Sequence, residues 1–282
     1  MSNTLVSIII VSAGKKDYLE PLLESIKRQA YKAQEVITID NKDRKLSFCD
    51  CLNKGIAMSR ADFILCLNDD VILDEKFIER AIEAFYIDEK IGLVSGKILR
   101  FDKTTIDSTG LFLSVWRTAK ERGYGVKDIG QFEKGGYVFG VTGAVALYRR
   151  NMLEEIKQNN EYFDSRFRFF YEDLDVAWRA HKLGWKGYYM PGALAYHIRG
   201  GTARQPAGIG KRFARRYINR ELHLCLIKNR YRTIAKNETV FGLLLHLPFI
   251  LLYDIFALSY LITEIFFGRL KETFCLQYRL MK

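Results

Sequence analysis

The sequence predicts an α/β fold, a mainly parallel sheet flanked by helices, followed by a basic and apolar helical tail. Three observations lead there. Through the first hundred residues, short apolar runs alternate with stretches of helical period, the mark of βαβ units with right-handed crossovers. Polar clusters follow those runs at once, Asp40-Asn41 after the second and Asn68-Asp69-Asp70 after the third. Ligands of such sheets bind beyond the carboxyl ends of the strands. Lastly, positive charge and apolarity gather at the C-terminal end rather than spreading along the chain.

Taken in order, residues 6–11 form an apolar run interrupted only by Ser7, as a strand buried on both faces requires. Leu19, Leu22, Leu23 and Ile26 recur at helical spacing over 18–29, with Pro21 tolerable in a first turn. A second strand is expected at 35–39, a helix at 47–58, a third strand at 63–67, a helix at 76–85 and a fourth strand at 91–94. From 101 to 136 glycines loosen the pattern into loops and short strands. The apolar run 138–148 reads as one further buried strand, and 151–157 as a helix. Residues 173–183 are helical, stopped by Gly184, and 187–189 open a last strand leading to His197.

The chain has 282 residues, 49% of them hydrophobic, and four prolines, which excludes disorder and allows one large domain with an appendage. The expected division is a domain over 1–210 and a helical tail over 211–282. Residues 1–210 hold 31 basic and 28 acidic side chains, a near balance; residues 211–282 hold 13 and 5. A basic block runs from 211 to 236. Because an apolar tail adjoins it, an anionic membrane surface explains the block better than nucleic acid, and no nucleic-acid partner is expected. The first apolar stretch, 5–11, is too short for a secretory signal and has no basic residue before it, so a cytosolic chain is expected. Five cysteines without CxxC spacing agree, and exclude a disulfide framework or structural zinc.

Residues 241–267 are long enough to span a bilayer. His246, Asp254 and Glu264 fall in one narrow stripe at about 100° per residue, and charge at mid-span is expensive. A shallow amphipathic segment, kinked at Pro248, fits better than a clean span; a core helix packed on the first domain is the other reading.

Three constellations carry chemistry. Asn68-Asp69-Asp70 would hold a hard divalent cation, which prefers oxygen ligands, or would simply turn the chain after a strand. Tyr171-Glu172-Asp173-Leu174-Asp175 opens a helix, where carboxylates serve either as a general base or as a favourable cap on the helix dipole. His197 closes a strand as an isolated histidine, structural or metal-binding.

In series these pieces resemble the inverting glycosyltransferases of family 2, with the GT-A fold, and within them the bacterial rhamnosyltransferase-like branch. The resemblance covers about residues 5–230 and rests on VSIIIVS, ITIDN, NKGIAMSRADFILCLNDDVIL, DSTG at 107–110, FGVTGAVALYRRNML and FDSRFRFFYEDLDVAWRAHKLGWKGYYMPGALAYH. It implies that Asp40 contacts the nucleotide base, and Asn68 and Asp69 the ribose or its phosphates. It makes Asp70 and His197 the ligands of Mg²⁺ or Mn²⁺, and Asp173 the catalytic base. The implied donor is a nucleotide sugar, dTDP-L-rhamnose first, another NDP-hexose as the alternative. The implied acceptor is a lipid-linked saccharide, met by a peripheral or monotopic enzyme at the cytoplasmic face of the cell membrane; a homo-oligomer is compatible with all this. The chain departs from many relatives in reading VSAGKK after its first strand and Lys42-Asp43 after Asp-Asn, both at the nucleotide pocket. A nucleotidyltransferase is the rival enzyme class, but Ala13-Gly14-Lys15-Lys16 is a poor version of its glycine-rich basic loop. A non-catalytic sugar-nucleotide-binding relative would lack one of Asp70, Asp173 or His197.

Overall fold

The computed structural model describes residues 4–32, 34–43, 45–198 and 220–280. For Arg220, and after Ser259 for all but Ile262, it describes the backbone alone. The basic residues at 211–216 and Lys282 lie outside the described residues.

In chain order the elements are β1 (Val6–Ser12), α1 (Lys16–Lys27), β2 (Gln34–Asp40), α2 (Phe48–Met58), β3 (Phe63–Asn68), β4 (Val71–Leu73) and α3 (Phe77–Glu83). Next come β5 (Ile91–Arg100), β6 (Ile106–Ser108), β7 (Leu111–Leu113), β8 (Ala119–Glu121), β9 (Gly136–Val138), β10 (Val145–Arg149) and α4 (Arg150–Glu155). Then follow α5 (Glu172–Lys182), β11 (Lys186–His197), α6 (Arg220–Asn237) and α7 (Val240–Leu280). The main sheet runs β2-β1-β3-β10-β5-β11-β4. In it β1, β2, β3, β5 and β11 point one way, while β10 and β4 run against them. The expected mainly parallel α/β sheet is present.

Alternation along β1 shows why both faces had to be apolar. Ile9 joins one core cluster, with α2 and α5, while Val6, Ile8 and Ile10 join the other, with α1 and α3. Ser47 caps α2 through a reciprocal capping box with Asp50, donating its backbone N–H to Oδ2 at 2.9 Å and accepting from the Asp50 N–H at 3.0 Å. Cys49, Cys51 and Cys66 are free and buried, acting as small core residues.

One expectation needs correction. The run 138–148 is not one strand: β9 ends at Val138, the chain turns through 139–144, and β10 begins at Val145. Val141 is wholly buried although it is in no strand, so its apolarity reports burial rather than extension. The tail helix runs from Val240 through Leu280 with Pro248 inside it.

The chain divides into two compact units, Met1–Leu113 with Ala119–Asn237, and Ser114–Thr118 with Glu238–Lys282. Sequence drew the line after residue 210; α6 nevertheless packs within the first unit. Its Lys236 Nζ donates to Asp175 Oδ2 (2.9 Å) and Asp164 Oδ2 (3.1 Å), and Asn237 Nδ2 donates to Asp175 Oδ1 (2.8 Å). Arg179 closes the cluster on Asp175 at 2.9 Å. Asp175 is fully buried, so Asp175→Ala strands Arg179 without its counter-charge and leaves Lys236 with Asp164 alone. Unfolding experiments should show a loss of about 3–5 kcal/mol, the cost of breaking a buried ion pair from one side.

In the second unit, Trp116 stands edge-on to Phe249 of α7, with ring centroids 6.0 Å apart. Arg117 pairs with Glu238, and its Nη2 lies 3.0 Å from His246 Nδ1. Asp254 is buried, whereas Phe241, Leu244, Ile255 and Phe256 are more than 60% exposed. Of the stripe's described side chains Asp254 is buried and His246 half-buried, while much of the apolar surface is bare. Val240–Ser259 is long and apolar enough to cross a membrane, by length and composition.

Candidate active site

The site begins where β2, β1 and β3 end side by side. Asp40 lies opposite Ser12, and Asn68 opposite Val11. Asp40 is exposed; its Oδ1 accepts the Lys42 N–H at 2.9 Å. Asp69 Oδ2 accepts the Ala13 N–H at 2.7 Å, which ties the β1 loop to the β3 loop. Burial pushes the Asp69 carboxyl up, against that N–H. Gly14 has φ +79°, and a Cβ built on it would stand 2.7 Å from Lys42 Cβ. The two departures from the family pattern thus meet: a glycine makes the room that Lys42 occupies.

Asp70 sits between β3 and β4, and β4 pairs antiparallel with the end of β11, setting Val71 against His197. His197 Nε2 is 3.2 Å from Asp70 Oδ1, and its Nδ1 is 2.8 Å from Asp107 Oδ2. Asp107 comes from β6, which pairs along the end of β5; Arg100, the last residue of β5, reaches Asp107 Oδ1 at 3.7 Å. Asp70, Arg100, Asp107 and His197 are all 6% exposed or less. Burial alone lowers the imidazole pKa, but hydrogen bonds to Asp107 and Asp70 overcome it and hold the ring at about 9. An oxygen and an imidazole nitrogen converging in this way, with the far nitrogen taken by a carboxylate, is a donor set that fits a divalent cation. Among the described residues no cluster of three or more such ligands occurs.

The third part is the start of α5. Phe170 and Tyr171 have φ +67° and +74°, a left-handed conformation that bulky residues adopt only under constraint. Asn229 of α6 supplies that constraint, donating Nδ2–H to Phe169 O (2.8 Å) and Phe170 O (3.1 Å). Asp173 is fixed by two backbone donors, Gly143 N–H to Oδ2 (3.0 Å) and Leu174 N–H to Oδ1 (2.8 Å). A Cβ on Gly143 would come 3.3 Å from Glu172 Oε1, a tight contact that the Glu172 side chain would have to yield to. Glu172 Oε2 is buried with no hydrogen-bond partner among the described residues. Desolvation, then the neighbouring Asp173, push the Glu172 carboxyl up to about 8; desolvation also raises Asp173, opposed by its N–H donors.

One turn links the two halves. Gly143 N–H holds Asp173, while Ala144 O accepts the Asn68 N–H at 3.0 Å. The turn thereby connects Asp173 to the Asn68-Asp69-Asp70 loop, Asp70 meets His197, and Asp40 ends the outer strand β2. Sequence reasoning gave no role to Asp107, Arg100, Gly143 or Asn229. The DSTG motif was the visible signal for Asp107; Asn229 left none, since its partners are backbone carbonyls some sixty residues away.

A family model described as glycosyltransferase like family 2 matches residues 6–219. Among curated relatives, the poly-beta-1,6-N-acetyl-D-glucosamine synthase of Staphylococcus aureus is 25% identical over 198 residues, covering 68% of this chain and 42% of that protein. The Staphylococcus epidermidis protein of the same name is 21% identical over 220 residues, covering 68% and 50%. The chain thus spans half or less of the length of these relatives. Among solved structures, the mannosyltransferase PcManGT of Pyrobaculum calidifontis, in complex with GDP-Man and Mn²⁺, aligns with TM-score 0.57 at 13% identity, over 92% of this chain and 73% of that one. GalNAc-T7 with UDP, GalNAc and Mn²⁺ aligns with TM-score 0.54 at 12% identity, over 69% and 43%. These likenesses establish the GT-A fold, and with the family match over most of its length the chain belongs to the glycosyltransferase-like family 2.

Proposed function

We propose that this chain transfers a sugar from a nucleoside-diphosphate donor to a hydroxyl of a membrane-held, polyprenyl-diphosphate-linked saccharide, with inversion, in cell-surface polysaccharide synthesis. The observation that carries this reading is the Gly143-Ala144 turn, which joins the Asp173 carboxylate to the Asn68-Asp69-Asp70 loop. In this reading Asp40 meets the base, and Asn68 and Asp69 meet the ribose or its phosphates. Asp70 and His197 hold Mg²⁺ or Mn²⁺. When bound, the cation offsets the charge that grows on the departing nucleoside diphosphate. Asp173 takes the acceptor proton: its two N–H donors aim the carboxylate without protonating it. Glu172, kept protonated by burial, spares the site a second negative charge.

The motif series supports L-rhamnose from dTDP-rhamnose as donor sugar. The names of the curated relatives favour a second reading, an N-acetylglucosamine donor. The bare apolar surface of α7 supports attachment to an anionic membrane at its cytoplasmic face. Part of the basic block is spent elsewhere, since Arg230 is buried and Lys236 is paired with Asp164 and Asp175. Long-range attraction would therefore fall to the remaining cations, at roughly 1 kcal/mol for each one close to the surface.

Incubating the protein with a panel of nucleotide sugars and a polyprenyl-diphosphate saccharide, then weighing the products by mass spectrometry, tests donor and reaction together. A product heavier by one sugar residue supports the reading; no transfer from any donor refutes it. Removing residues 238–282 should leave donor binding nearly intact and sharply reduce transfer to the long-chain acceptor, with a smaller effect on a short-chain soluble analogue. Co-sedimentation of the full chain with anionic liposomes should weaken with salt. Indifference to such liposomes at low salt would refute membrane docking.

A further inference from the structure

We propose that Asp107 is a positioning residue for the cation site, fixing the His197 ring so that Nε2 is presented beside Asp70. This rests on reading Asp70 and His197 as cation ligands, and it assigns the DSTG motif a task.

An imidazole offers two nitrogens, and whichever one a second group engages leaves the other for a cation. Here Nδ1 is engaged by Asp107 Oδ2 at 2.8 Å, and Nε2 faces Asp70 Oδ1 at 3.2 Å. Turning the ring over about its Cβ–Cγ bond would set carbon atoms where both carboxylates now meet nitrogen. Two charge-assisted hydrogen bonds in a buried site would be lost, so one ring orientation is strongly preferred.

Asp107 is itself held in place. It is 1% exposed, lies on β6 where that strand pairs with β5, and has Arg100 Nε 3.7 Å from its Oδ1. The Arg100 guanidinium rests in turn on the Tyr124 ring at 4.8 Å. A carboxylate this deep is costly, and packing alone would be served at less cost by an apolar residue of similar size. Its two oxygens instead divide between a cation and the ligand histidine. That is the arrangement by which an outer carboxylate orients a ligating histidine and raises its basicity, and its loss commonly weakens metal affinity about 10–100-fold.

The test titrates the full chain with Mn²⁺ alone, following free ion by electron paramagnetic resonance, with thermal unfolding as the check on folding. Asp107→Ala should weaken Mn²⁺ binding about 10–100-fold. Asp107→Asn, whose amide oxygen still accepts from Nδ1, should lose less. With His197→Ala already present, Asp107→Ala should add no further loss, because its effect runs through the ring. Folded Asp107→Ala and Asp107→Asn proteins that bind Mn²⁺ like the parent would overturn the proposal and leave the cation reading standing. An undiminished effect of Asp107→Ala in the His197→Ala background would also overturn it, by making the role structural. If Asp107→Ala does not fold, the near-isosteric Asp107→Asn decides. If the parent binds no Mn²⁺, or His197→Ala binds it as well as the parent, the cation reading itself fails and takes this proposal with it.

Discussion

Asp173→Asn is expected to lower kcat about 10²–10⁴-fold, the usual cost of losing a general base, with donor affinity close to that of the parent. Asparagine keeps the volume, and its oxygen still accepts one of the two N–H bonds from Gly143 and Leu174. What it cannot do is take a proton. Glu172→Gln should be milder, because Glu172 already carries its proton at neutral pH. If Glu172→Gln is the inactive variant and Asp173→Asn the active one, the base is Glu172. The pair also sets the acid limb of the pH profile: Asp173 works only when ionised, so kcat rises with pH through its raised pKa. The stability sign is opposite. A carboxyl whose folded pKa is raised binds protons more tightly when folded, so its contribution falls as pH climbs from 4.5 towards about 8. Glu172→Gln should flatten that decline in a pH series of thermal unfolding.

Asp70→Ala should abolish turnover and metal-dependent donor binding. A chelator should reproduce the effect in the parent, and Mg²⁺ or Mn²⁺ should reverse it. Full activity in chelator would refute the assignment of Asp70. From sequence, Asp70 reads as a surface carboxylate whose loss the fold would not notice. The structure buries it at 4% exposure against His197, so the alanine variant also leaves an imidazole short of a partner. About 1–3 kcal/mol of stability should go with it. Asp70→Asn, of nearly the same shape, separates the two effects: its stability should stay near the parent while Mn²⁺-dependent donor binding is still lost.

Strand and helix were legible wherever burial imposed a period. The wholly buried, largely apolar β1 and the 3.6-residue spacing of α1 follow directly from facing two cores or one. Failure came where apolar residues are buried without being regular, as at Val141, and where a strand is only three residues long, as with β4 and β6. Those short strands matter most to the site, since β4 delivers Asp70 to His197 and β6 delivers Asp107 to the same ring. The pairing of β4 is decided by β11, far off in sequence, and no local pattern encodes it. β6 folds back on the end of β5 across a short turn, too brief a strand to show a period. Side chains with titratable groups announced themselves as candidates; Gly143, which acts through its backbone N–H, did not.

The hold of Asn229 on the carbonyls of Phe169 and Phe170 has a bearing on how the protein comes into being. A chain growing from its N-terminus has made every candidate site residue once His197 has been added. Two adjacent left-handed aromatic residues then cost of order 1–3 kcal/mol each, with nothing yet to oppose their relaxation. Only after another 40 residues, through Asn237, are Asn229, Lys236 and Asn237 all available to lock the turn and the buried Asp175. Synthesis next adds Val240 and the apolar helix. The turn that leads into Asp173 and the apolar helix therefore mature together, late in the making of the chain, and a nascent fragment ending at 219 holds all six candidate site residues without the Asn229 bonds that fasten that turn.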